Sequence, residues 1–293
     1  MRGRTCLRWA TLATALGVAL GAGLPAANEM RASFTVGLDH VPVAVGNLEA
    51  ASARYVAMGF ALKQGRPHDN GLTNRHVKFA NGTEVELITA PSKVDDLTGY
   101  YRRLIEQGDG GAFFALHPSD ADEALSRLSR AGLPVARQGY TIGFPSGHSL
   151  RYLFFAGLNH SPTDRPEHFA HANTAVRLSA VWLAADSFAD EQRVWDTLGL
   201  KVRAASPEFP FAPDAKAVPL SDGAVYLLPA RYARPLRRVV GVTLDVRRVD
   251  EAATRLQSAH VPFRTLTTPA GVPSLVVDPD DAHGIWLELR EGK

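Results

Sequence analysis

Residues 38–62 read LDHVPVAVGNLEAASARYVAMGFAL, and two periods within that stretch decide the fold. Apolar residues first alternate through Val41, Val43 and Val45, as in a strand with one buried face. They then recur at helical spacing through Leu48, Ala51, Tyr55 and Met58, before Gly59 and a second apolar run. The same order of strand, helix and strand returns in GAFFALHPSDADEALSRLSRAGLPV (111–135), LSAVWLAADSFADEQRVWDTLGLKV (178–202) and VVGVTLDVRRVDEAATRLQSAHVPF (239–263). The copies leave their helices near Gly59, Gly132, Gly199 and His260. Each is followed by a Gly-containing turn and a strand: NGTEVELITAP (81–91), SGHSLRYLFFA (146–156), DGAVYLLPA (222–230) and HGIWLELRE (283–291). Asn81-Gly82 and Asp222-Gly223 are tight-turn signals ahead of strands. The repeat is a helix lodged between strands of a mostly antiparallel sheet, used four times.

The chain has 293 residues, 45% of them hydrophobic and 21% charged, the composition of a soluble globular protein. Its formal net charge is +2, and no run of Lys and Arg alternates with aromatics, which argues against nucleic acid as a partner. Residues 1–27 carry Arg2, Arg4 and Arg8, then an apolar run through Ala22, then small residues ending at Ala26 and Ala27. That is the order of a signal peptide, with an apolar run shorter than a membrane span. It predicts a periplasmic or secreted protein, membrane-held only if the signal stays uncleaved. Cys6, the single cysteine, lies inside this segment, so the mature chain would form no disulfide and would be stabilised by packing. Whether copies associate is left open.

The repeat, and above all LDHVPVAV, MGFAL and NGTEVELI in its first copy, resembles the vicinal oxygen chelate superfamily and within it the glyoxalase-like domain proteins. The resemblance runs from about Val36 to the end of the chain. It implies an α+β fold of four βαβββ modules arranged as two paired-module cups, as in glyoxalases and extradiol dioxygenases. One half would cover residues 36–160 and the other 174–291, joined near NHSPTDRPEHFAHAN (159–173), where Pro162 and Pro166 interrupt the strand pattern. The resemblance also implies a divalent metal held by His and Glu from strands lining a cup. It implies no particular reaction, because the superfamily includes lyases, dioxygenases, epimerases and drug-binding proteins.

Strand phase selects the side chains that face such a cup. With the three valines of LDHVPVAV on the helix side, Leu38, His40 and Pro42 turn the other way. In NGTEVELI, Glu84, Glu86 and Ile88 oppose Val85 and Leu87; in NRHVKF (74–79), Asn74, His76 and Lys78 oppose Val77 and Phe79. Neighbouring strands would gather His40, Asn74, His76, Lys78, Glu84 and Glu86 on one concave surface. A face this polar is either a site or an open, solvated sheet face, since buried unpaired charges are costly.

Within that set His40 and Glu86 are the candidate metal ligands. Aligning the copies on the helix start puts Phe113, Ser179 and Gly241 at the place of His40, and aligning them on the turn glycine puts Arg151, Leu227 and Glu288 at the place of Glu86. Only the first copy holds both donors, and a catalytic metal usually has at least three protein ligands. A third would come from His76, His148, His168 or His171, each of which taken singly reads better as a surface or helix-capping histidine. His68, in the Gly-rich stretch GRPHDNGLTN (65–74), belongs to a loop suited to cover the cup. Arg151 would grip a carboxylate or phosphate, or pair with Glu86. Asn74 and His76 would contact substrate beside it, and Glu288 reads as a strand-end salt bridge with an exposed Arg.

Three functions follow from these residues. In the first, a divalent ion on His40 and Glu86 polarises an oxygen of a small carbonyl or acidic substrate, Glu84 moves a proton and Arg151 orients the molecule, giving lyase, isomerase or dioxygenase-type chemistry. In the second, the cup sequesters a small-molecule ligand without metal. In the third, the repeats are an interaction scaffold. No nucleophile elbow, phosphate loop or dinucleotide fingerprint occurs after the signal-like segment.

Overall fold

A computed structural model describes residues 33–205, 209–268 and 271–292. The signal-like segment 1–27, with Cys6, lies outside the described residues. Module 1 begins with β1 (Val36–Leu38) and β2 (His40–Ala44), passes through α1 (Leu48–Ala57), β3 (Lys63–Gln64) and β4 (Thr73–Lys78), and ends at β5 (Glu84–Thr89). Helix α2 (Asp96–Ile105) leads to module 2, with β6 (Gly110–Gly111), β7 (Phe114–Pro118), α3 (Ala121–Arg130), β8 (Ala136–Gln138), β9 (Thr141–Gly143) and β10 (Leu153–Phe155). Module 3 holds β11 (Ala175–Ala185), α4 (Ala189–Leu198), β12 (Arg203–Ala204), β13 (Lys216–Pro219) and β14 (Ala224–Pro229). Module 4 holds β15 (Val239–Val246), α5 (Val249–Ser258), β16 (Arg264–Thr267), β17 (Pro273–Val277) and β18 (Trp286–Glu291). The α+β fold of four βαβββ modules implied by the repeat is present.

Local chemistry sets the helix ends. Asn47, Asp95 and Asp120 accept hydrogen bonds from the backbone N–H groups of Ala50, Thr98 and Glu123 at the starts of α1, α2 and α3. After α1, α3, α4 and α5 the chain turns through left-handed backbone at Gly59 (φ +94°), Gly132 (+71°), Gly199 (+79°) and His260 (+50°). His260 adopts there a conformation that glycine adopts without strain.

In every module the strand just before the module's helix pairs in parallel with the last strand: β2 with β5, β7 with β10, β11 with β14 and β15 with β18. The remaining strands of each module add outside that pair in antiparallel fashion. In the second half β11 and β15 pair antiparallel and fuse modules 3 and 4 into one eight-stranded sheet. The matching seam in the first half is broken, because β1 joins the module 2 sheet through β7 while β2 joins the module 1 sheet through β6. Pro42 sits at the break. It has no N–H for the ladder, and its carbonyl accepts from Ala112 and Phe113.

Two expectations change here. Leu38 and His40 do not share a cup face, since the chain changes sheets at Asp39 and Leu38 is fully buried. Of SGHSLRYLFFA only β10 is strand, residues 146–152 being loop and turn. The valines behave as strand phase requires: Val41, Val43 and Val45 are fully buried in one core with Ala51, Tyr55 and Met58 of the first helical segment. A buried guanidinium crosses between the halves, Arg237 donating to the carbonyls of Leu104, Gly108, Gly110 and Gly111.

Candidate functional site

A cavity of about 1010 Å³ opens between modules 1 and 2. Its floor is β2, β4 and β5, carrying His40, Asn74, His76, Lys78, Glu84 and Glu86, with Asp39 just ahead of β2; the facing wall is aromatic, with Tyr101, Phe113, Phe144 and Phe154. Register brings the floor together, His40 lying opposite Glu84 across the parallel pair and His76 opposite Glu86 across the antiparallel one.

Two histidine–carboxylate pairs result. His40 Nδ1 is 2.6 Å from Asp39 Oδ1, and His76 Nδ1 is 3.1 Å from Glu84 Oε1. Against a carboxylate each Nδ1 carries the proton, which turns each Nε2 toward the cup. Neither Nε2 has a partner among the described residues, and neither is sealed off from the cavity. Burial pulls the His40 pKa down, but the Asp39 hydrogen bond and the charges of Asp39, Glu84 and Glu86 outweigh it and lift the value to about 9. In the same way burial opposes, and Glu84 and Glu86 more than restore, the proton affinity of His76, which ends above its ordinary value. Burial would raise the Glu84 pKa; the hydrogen bond from His76 and the charges of His76, His40 and Lys78 bring it below the usual range.

The two glutamates differ in the freedom left to them. Glu84 accepts from His76 and, on both oxygens, from Asn159 Nδ2 at 3.3 and 3.1 Å, with Lys78 Nζ 3.9 Å away. Glu86 accepts from Asn74 Nδ2 at Oε1 and keeps Oε2 open to the cup. The metal-assisted reading gives the proton-moving role to Glu84, whereas the contacts leave that freedom to Glu86. Asn74 reaches Glu86 by lying across Gly65, where any Cβ would overlap its Oδ1. Lys78 is held by Asn159 O at 2.7 Å and Asp164 Oδ2 at 2.8 Å, and Lys63 Nζ is 2.5 Å from Asp164 Oδ1. Although burial opposes it, these bonds hold the Asp164 carboxyl at about 2.

Arg151 lines the cup but pairs with Asp96 at the start of α2, not with Glu86, and its guanidinium lies 4.4 Å from the Tyr100 ring centroid. The register also corrects the alignment of the copies. Pro42 faces Glu86 in module 1 and Ala115 faces Phe154 in module 2, so the counterpart of Glu86 is Phe154 and not Arg151, while Phe113 remains that of His40. His148 stacks on Phe144, and His168 accepts from the backbone N–H of Arg165. His171 sits between the Ala61 N–H and the Lys78 carbonyl, burial lowering its pKa. His68 lines the cup. Glu288 is no strand-end salt bridge: it is fully buried and accepts from Thr243 Oγ1 at 2.6 Å.

These donors do not fit a resident metal. His40 and Glu86 share the cup floor, but the paired module answers with two phenyl rings, Phe154 standing edge-on to His40 at 5.3 Å and Phe113 6.1 Å from Phe154. Among the described residues no three His, Cys, Asp or Glu side chains form a group able to hold an ion. The carboxyl groups of Asp39, Glu84, Glu86 and Asp164 are already matched by His40, His76, Lys63 and Lys78, which leaves no surplus negative charge for a cation.

Sequence reasoning passes over Asp39, Lys63, Asn159 and Asp164. Asp39 is detectable as the neighbour of His40 at a strand start. Asn159 and Asp164 reach the floor from the segment between modules, where no periodicity marks them.

A model of the glyoxalase-like domain matches residues 38–199. No curated protein matches the sequence. Solved structures share the fold. One is a xylose isomerase-like TIM barrel/4-hydroxyphenylpyruvate dioxygenase fusion protein, at 12% identity and TM-score 0.60 over 88% of this chain and 49% of that one. Another is a triple mutant of 4-hydroxymandelate synthase from Streptomyces coelicolor, at 12% identity and TM-score 0.61 over 88% and 93%. A third is the 2,3-dioxygenase LapB from Pseudomonas sp. KL28, at 14% identity and TM-score 0.58 over 87% and 92%. The chain spans about half the length of the fusion protein, and at these identities the likeness is one of fold. With four repeated modules, a parallel strand pair in each, and a family match over more than half of its length, this chain belongs to the glyoxalase-like domain family, within the vicinal oxygen chelate superfamily.

Proposed function

We propose that the first cup binds a small carbonyl compound and moves a proton beside its carbonyl group without a resident metal. One observation carries the reading: two imidazole Nε2 atoms and one carboxylate oxygen, all without a partner among the described residues, open onto the same cavity. Glu86 Oε2 takes the proton from the carbon next to the carbonyl. The electron pair of that C–H bond becomes the C=C bond of an enolate, whose oxygen the Nε2–H group of His40, protonated below about pH 9, stabilises, while His76 Nε2 faces the ligand as an acceptor. Return of the proton to the same carbon completes an exchange; where that carbon carries a hydroxyl group, His76 Nε2 takes the hydroxyl proton and passes it to the former carbonyl oxygen, the proton on Glu86 goes to the adjoining carbon, and the carbonyl has moved by one carbon without an oxidant. A positioned base contributes about 10²–10⁴-fold, and a buried oxyanion donor about 10²–10³-fold. Phe113 and Phe154 supply an apolar face for the rest of the molecule. A cup of about 1010 Å³ suits a ligand well beyond a three-carbon carbonyl.

Phenylpyruvate in D₂O is a suitable probe, because NMR follows loss of its C3 protons directly. Wild-type protein should speed that loss and Glu86→Gln should abolish the gain. Binding of the probe with no acceleration would favour the second reading, a metal-free sequestering cup, which the aromatic wall also supports. Action in the periplasm or outside the cell is part of the proposal and rests on the order of charges and apolar residues in 1–27. The intact mass of exported protein tests it: a chain that keeps residues 1–24 would contradict cleavage.

A further inference from the structure

The chain leaving β10 turns back across module 1, and Gly157 to Ser161 form part of the cup wall. Asn159 is fastened there on three sides. Its N–H donates to the Gly82 carbonyl at 3.4 Å, its own carbonyl accepts from the buried Lys78 Nζ at 2.7 Å, and its side-chain amide donates to both oxygens of Glu84, 75 residues earlier. Asp164 anchors the far end of the segment between Lys63 and Lys78. Asn159 therefore grips the carboxylate that in turn grips His76.

We infer that Asn159 is a positioning residue of the cup: it aims Glu84 at His76 Nδ1 and so keeps the His76 proton on Nδ1 and the Nε2 atom available to a ligand. The inference rests on the proposed role of His76. Glu84 has another partner within reach, since Lys78 Nζ lies 3.9 Å from Oε2, and a small turn of the carboxylate would trade His76 for that lysine. A neutral imidazole released from Glu84 favours the tautomer with its proton on Nε2, which cannot accept a proton from a ligand. The other groups facing His76 are Glu86 on β5, His40 on β2 and Lys63 opposite it on β3, and none of these touches Nδ1. Asn159 is thus the one residue outside module 1 whose side chain bonds the Glu84 carboxylate among the described residues.

The test is ¹⁵N NMR of histidine-labelled protein, which reads the tautomer of neutral His76 from its two nitrogen shifts, with thermal melting alongside. Wild type should hold the Nδ1–H form. Asn159→Ala should shift the tautomer ratio toward Nε2–H by at least about threefold. Asn159→Ser, whose hydroxyl ends short of Glu84, should do the same and serves if the alanine variant does not fold. A lowered melting temperature with an unchanged His76 tautomer would make Asn159 a mere anchor and overturn the inference, as would loss of folding in both variants. Glu84→Gln separates this from the proposal beneath it: if that change leaves His76 unmoved, the histidine–glutamate pair itself is wrong, and the proposed function fails with it.

Discussion

The His40 proton offers a quantitative test of the cup floor. Its value rises from 6.5 to about 9 in the folded chain, a tighter hold on the proton by about 3 kcal/mol. The side chain is 17% exposed, so solvent screening removes little of this. Because the folded value is the raised one, the added stability is complete below the unfolded value near 6.5 and disappears as pH climbs through about 9. His76 is displaced in the same direction and adds to the trend. His40→Asn keeps an amide able to donate to Asp39 but has no proton to lose in this range. Urea unfolding followed by tryptophan fluorescence, at steps from about pH 6 to about pH 10, gives the stability difference between the two proteins. That difference should fall by about 3 kcal/mol across the window. A difference constant to within about 0.5 kcal/mol would refute the cluster as described, because His40 would then titrate alike folded and unfolded.

Other substitutions probe the supports of the site. Gly65→Ala would drive a methyl group into Asn74 and push its amide off Glu86, costing about 1–3 kcal/mol in denaturant unfolding. Arg237→Met removes the donor to four carbonyls in the seam between the halves and should cost about 3–5 kcal/mol by the same assay. Phe113→His combined with Phe154→Glu gives the half-centre its missing donors. Calorimetry should then find one Zn²⁺ bound at least about tenfold more tightly than by wild type, the gain vanishing on adding His40→Ala.

What could be read from sequence divides along a physical line. The fold was legible because alternation in 38–45, helical spacing in 48–58 and the exit glycines are local signals that recur in every copy. Strand phase likewise put His40, Asn74, His76, Glu84 and Glu86 on one surface. Partner choice was not legible. Asp39 takes His40, Asn159 takes Glu84 and Asp96 takes Arg151, and the last two pairings join residues 75 and 55 positions apart. The matching of Glu86 with Arg151 failed for a related reason. It counted from the turn glycine, and module 2 spends residues 146–152 on loop before its last strand begins, which moves Phe154 into the place of Glu86. The change of sheet at Asp39 depends on how β6 and β7 dock, which no pattern within 38–45 records.

Metal-free proton transfer is tested most directly with protein stripped of metal, its content verified by mass spectrometry, and phenylpyruvate in D₂O. Stripped wild-type protein should exchange the C3 protons at least about 10²-fold faster than buffer, with Glu86→Gln near the buffer rate and added Mn²⁺ or Zn²⁺ changing little. Exchange at the buffer rate until a divalent ion is restored would contradict the reading of His40, His76 and Glu86 as a self-sufficient acid and base set.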